Sequence, residues 1–168
     1  HPGTSESNFY KVNNRGVNNL EYWFLGTVLN SGDYTLRNEK DEWEVVGYEM
    51  AVEVDRVLAA YPEKVQAGGR YGIYISLAHA PNAEASVASL KSMTVGQRYL
   101  MRAYIDPGMI HRGNTAGIDI PNQLWQVKPL DGKDLYYLAV PQGQEAILED
   151  PKYAFVQENL ELLCAGKP

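Results

Sequence analysis

Most of the groups by which a catalytic or sorting role announces itself are scarce in this sequence. One cysteine, Cys164, stands among 168 residues, so no intrachain disulfide can form. Such a chain must fold on its core alone, which suits the cytosol and a secreted bacterial domain equally. In the apolar stripe of a terminal segment, Cys164 reads as a small buried hydrophobe rather than a reactive thiol. No run approaches the roughly 20 apolar residues that carry a helix across a bilayer. No secretory signal is recognisable in these residues either, which says nothing of where a longer parent resides. The opening His1-Pro2-Gly3-Thr4-Ser5-Glu6-Ser7 is small and polar, and is expected to be a cloning scar or linker ahead of a fragment of a larger protein. Basic clusters are missing as well: 15 Lys and Arg are scattered singly among 21 Asp and Glu, for a net charge of −6. Phosphate neutralisation calls for a basic surface, so nucleic acid is not an expected partner.

The groups needed for bond-breaking are equally sparse. There are three histidines: His1 in the leading segment, and His79 and His111, which have no local partner at ligand spacing. Metal coordination is therefore not expected, nor is any other cofactor. No nucleophile elbow appears, and Gly68-Gly69-Arg70 lacks the spacing and the Lys-Ser/Thr of a phosphate loop. Two carboxylate sets deserve weighing. Glu53 and Asp55 share one side of a strand, which could seat a glycosidase pair but matches the ordinary solvent face of a strand better. Asp106, His111 and Asp119 flank an irregular stretch and form the other acid/base candidate, with no spacing to support it. The expected catalytic set is none.

What the chain does contain is extended-strand patterning. Residues 1–20 are polar and rich in Asn and Gly, a lead-in to one domain over 21–168. Glu21–Asn30 is aromatic and β-branched, a strand with Gly26 marking a bulge or a close backbone approach. Ser31-Gly32-Asp33 signals a turn. Glu44–Leu58 alternates: Tyr48, Met50, Val52 and Val54 on one side, Glu49, Ala51, Glu53 and Asp55 on the other. That predicts a half-buried strand with its acidic face out. A helix competes over Ala51–Ala60, where Val54, Val57 and Leu58 have helical spacing. Gly68-Gly69 is a turn and Arg70–Leu77 a strand; Ala78–Ser92 is small and polar, as a loop would be. Gln97–Asp106 is apolar on both faces, hence a central strand, stopped by Pro107-Gly108. Met109–Pro129 is irregular and longer than an ordinary loop, so it is either a functional excursion or hides a short strand near Leu124–Val127. Asp134–Val140 is a strand. Asp150-Pro151 opens an amphipathic helix through Tyr153, Val156, Leu160 and Leu163. Five or six short strands and one terminal helix predict a mainly β domain, barrel or sandwich, with a C-terminal helix, α+β overall.

Twelve Tyr and three Trp exceed what so small a core needs. Aromatic side chains with a polar tip suit contact surfaces. Tyr74, Tyr104 and Tyr136 are placed opposite the apolar stripes, and Trp43 and Trp125 lie beside loops; these five are the candidate ligand-binding residues. The plainer reading is that a β-rich fold fills both of its faces with aromatics.

Two stretches carry a resemblance. The strand ending Val52-Glu53-Val54-Asp55-Arg56-Val57-Leu58 is followed by Thr94-Val95-Gly96-Gln97-Arg98-Tyr99-Leu100-Met101-Arg102-Ala103-Tyr104. This arrangement, over Glu44–Asp106, is similar to the OB-like β-barrel modules in the extracellular domains of FtsX/MacB-like ABC transporter permeases. The resemblance implies an OB-like fold, an extracytoplasmic location, a membrane-embedded parent and a non-catalytic role in contacting a protein, peptide or other ligand. It supplies no catalytic residue. Two other classes stay open: a secreted carbohydrate-binding module using exposed Tyr and Trp, and a hydrolase with an acid/base pair near Asp106 and Asp119.

Overall fold

The computed structural model describes residues 21–37, 44–60, 66–76, 83–110 and 123–165. Sheet dominates. The strands are β1 (Glu21–Arg37), β2 (Glu44–Ala60), β3 (Arg70–Ser76), β4 (Arg98–Ile110), β5 (Gln123–Lys128) and β6 (Tyr137–Ala139). Helix α1 (Ala83–Lys91) joins β3 to β4, and α2 (Ala154–Ala165) closes the described chain. Among the described residues no helix is long and apolar enough to cross a membrane.

The strand order is β1-β2-β3-β5-β4, and β4 pairs back to β1, so five strands form a ring; β6 lies beside β4. β1–β2, β2–β3 and β4–β5 are antiparallel, and β3–β5 is parallel. At the closure, Glu21 lies opposite Tyr104 and Thr27 opposite Arg98. Residue numbers rise along β1 as they fall along β4, so the two strands run in opposite senses there, as the other four pairings require. One further bridge joins Arg37 to Ile110. Arg37 also pairs with Glu44, and Ile110 with Gln123. Four strand ends therefore meet at one place, where the β1–β2 and β4–β5 connections depart.

Side chains on a strand alternate between faces, and here both faces bury apolar groups. The inward set comprises Tyr22, Phe24, Met50, Val52, Val54, Ile73, Met101, Ala103 and Val127, with Val87, Leu90 and Met93 added from α1 and the turn after it. Each fully buried aliphatic side chain of this kind contributes about 1.5–3 kcal/mol. A second cluster lies on the outer face of β1 and β4, where Trp23, Leu25 and Leu100 pack with Leu138, Val140, Leu148 and Val156 beneath α2. β4 is buried on both sides from Tyr99 to Ala103, as its two-sided apolar pattern predicts.

The structure corrects several local expectations. β1 runs through Ser31-Gly32-Asp33, where a turn was expected, to Arg37, with a register shift just before it between Val28 and Asn30. Gly26 does sit at a register shift, and a Cβ there would come within 3.0 Å of the Phe24 ring. β2 is strand throughout, including the stretch where a helix competed. Pro107-Gly108 lies inside β4, across the shift that separates the Ile105 and Ile110 pairings with β5. Ala83–Lys91, expected as loop, is helical. Its alanines are strong helix formers, Glu84 and Lys91 complement the two ends, and Val87 and Leu90 share its buried side. β5 occurs where a short strand was one of the two readings, whereas β6 has only three residues of the predicted seven.

At the C-terminal end, the Asp150 side chain accepts from the Lys152 N–H at 3.0 Å with Pro151 following. The cap is as expected, but a short 3-10 turn precedes α2. Residues 1–20, His79 and His111 lie outside the described residues.

Candidate functional site

Backbone register lines up five residues, one from each strand of the ring. Glu49 pairs with Tyr74, Tyr74 with Gln126, Gln126 with Tyr104, and Tyr104 with Glu21. Directly paired residues share a face. Their chain neighbours Met50, Ile73, Val127, Ala103 and Tyr22 belong to the inward cluster, so this polar and aromatic row faces outward. An outward row of a ring would ordinarily be wet. Instead Glu49 and Tyr74 are 1 % exposed and Glu21 is 2 % exposed, while Tyr104 and Gln126 are half-buried.

The open part of the row is built around Tyr104. Its hydroxyl donates to Gln126 Oε1, and Lys128 Nζ lies 4.6 Å from its ring centroid. An ammonium over a phenol face is attracted by the ring quadrupole, by about 0.5–1 kcal/mol at a partly exposed site. One level along the strands, Trp23 pairs with Arg102, and Arg102 with Lys128.

Arg102 is buried with its charge matched. Its Nε donates to Glu21 Oε1 at 2.5 Å, Nη1 donates to the Pro129 carbonyl at 3.0 Å, and its guanidinium carbon lies 5.4 Å from the Trp23 ring centroid. Trp23 Nε1 donates to the same Glu21 oxygen at 2.9 Å. Burying either ion without the other would cost several kcal/mol, so the two are obligate companions. They sit at the border between the apolar outer face under α2 and the polar row.

Two further polar features shape loops. Asp131 Oδ1 accepts backbone N–H bonds from Lys133, Asp134 and Leu135 at 2.9, 3.1 and 3.1 Å. Partial burial pushes its carboxyl up, but these N–H groups outweigh that and hold it below its ordinary range. Glu145 is also held low, first by the hydrogen bond from Arg98, whose Nε donates to the Val140 carbonyl at 2.8 Å. That contact pins the turn after Val140 to the start of β4.

The structure brings only some of the candidate residues together. Tyr74 and Tyr104 share the outer row, on the face predicted for them, but Tyr74 has no open ring. Tyr136 is an interior side chain: it packs in the inward cluster, and its hydroxyl accepts from Ser86 of α1 at 2.8 Å. The backbone of Trp125 lies in β5 opposite Ile73 and Ile105, and its side chain is outside what is described. Trp43, His111 and Asp119 lie outside the described residues, as do the side chains of Asp106 and Cys164.

Glu53 and Asp55 do meet solvent. The Glu53 side chain is 38 % exposed, 3.6 Å from Arg70 Nε, and Asp55 accepts from the Thr27 hydroxyl at 2.7 Å. Glu49, expected on the same wet acidic face, is buried. Among the described residues no group of three or more His, Cys, Asp or Glu could hold a metal ion.

Glu21, Glu49, Arg102, Gln126 and Lys128 were not singled out by their sequence context. One signal was available: Arg102 interrupts an otherwise apolar strand, and a charge in such a place needs a buried counter-ion. What this face offers chemically is hydrogen bonding, a capped aromatic ring and one half-exposed ammonium. No family model matches the chain, and no curated protein matches it.

Proposed function

We propose that this chain is a non-catalytic, extracytoplasmic binding domain with an OB-like barrel, belonging to a bacterial ABC transporter permease of the FtsX/MacB kind. The observation that carries the reading is the ring order β1-β2-β3-β5-β4 with α1 between β3 and β4. OB domains are five-stranded, partly open barrels that bind ligands on the face of strands 2 and 3 and on the β1–β2 and β4–β5 loops. The meeting of Arg37, Glu44, Ile110 and Gln123 supports this reading, because both of those connections leave from one place. Trp43 belongs to the first of them.

The ligand is a protein or peptide rather than a glycan. A sugar stacks on an open ring face, and the described outer-face aromatics do not offer one: Trp23 and Tyr74 are buried, and Tyr104 is covered by Lys128. Backbone-bearing partners can instead use Gln126, Lys128 and the Tyr104 edge through hydrogen bonds.

The test is site-directed photo-crosslinking in intact cells that express the full-length transporter. A photoreactive side chain replaces Lys128 in one strain and Glu158, on the exposed side of α2, in another. The expected result is a discrete protein or peptide adduct from position 128 and none from 158. Equal adducts from both positions, or none from either, would defeat the proposal. Retention on a polysaccharide panel that is lost in Trp43→Ala would transfer the domain to the carbohydrate-binding class.

A further inference from the structure

We draw no further inference here: the strongest candidate, the half-buried patch of Tyr104, Gln126 and Lys128 on the outer face of β4 and β5, belongs to the site already described, and nothing in the structure shows what would cover it.

Discussion

Along β4 the outward positions change character within five residues. Leu100 lies under α2 in the apolar outer cluster, Arg102 is locked to Glu21, and Tyr104 is half-buried and hydrogen-bonded to Gln126. The same strand thus serves two outer faces of the ring. One is dry and helix-covered. The other is polar, and tied together by side chains from different strands. The difference teaches that apolar packing and polar surface are separated along a strand rather than between domains, with a buried ion pair as the dividing wall. A residue on the dry side is expected to matter for folding and little for partners; Lys128 is expected to do the reverse.

The sharpest way to break that comparison is at the wall itself. Arg102→Met leaves Glu21 charged and buried, and urea unfolding should show a loss of about 3–5 kcal/mol. The double substitution Glu21→Leu with Arg102→Met should recover most of it. Full recovery is not expected, because the Trp23 indole N–H loses its acceptor. If the two losses simply add, the pair is not coupled and the dividing wall is not there. Next in size is Leu100→Ala on the dry side, fully buried, with an expected loss of about 2–5 kcal/mol in the same assay. A loss under 1 kcal/mol would mean that α2 does not seal that face.

Smaller is Asp131→Asn, which weakens three backbone hydrogen bonds; the loss at neutral pH should be about 1 kcal/mol, the scale of a capping side chain. Its carboxyl is depressed in the folded state. The stabilisation is therefore fully present above the ordinary carboxyl range and is lost as pH falls through the lower folded value. Thermal melts of the two proteins should differ at neutral pH and converge in acid; a difference that grows in acid would contradict the assignment. Smallest is Lys128→Ala, which should change stability by no more than about 0.5 kcal/mol, as expected away from core features. Crosslinking from neighbouring surface positions should nonetheless fall several-fold in that variant. A large loss of stability with unchanged crosslinking would reverse the roles of the two faces.

Much of this architecture could be read locally. The alternation of Tyr48, Met50, Val52 and Val54 identified β2, two-sided apolarity identified β4, and Asp150-Pro151 identified the cap before α2. The misreadings share one cause: local turn or loop propensity was overruled by neighbours distant in sequence. Ser31-Gly32-Asp33 remains strand because β2 pairs with it across the hairpin, and Pro107-Gly108 is absorbed in a register shift. Ala83–Lys91 reads as loop from its small residues until the burial of Val87 and Leu90 gives them a purpose.

The site was less legible than the fold. Strand period places Glu49 and Tyr74 outward correctly, but it cannot say that an outward face is covered. The partnership of Glu21 with Arg102 joins residues 81 apart, beyond any pattern of period two or 3.6. Tyr136 failed as a surface candidate because its hydroxyl is used within the fold, by Ser86.

Closure of the five strands has a consequence for association through the backbone. Among the described residues each member of the circle has a companion on both flanks over part of its length. There its main chain offers no vacant side on which a foreign extended segment could zip, whereas Asn30–Leu36 of β1 pair with β2 alone. Over those doubly flanked lengths, side chains rather than backbone decide what the module touches.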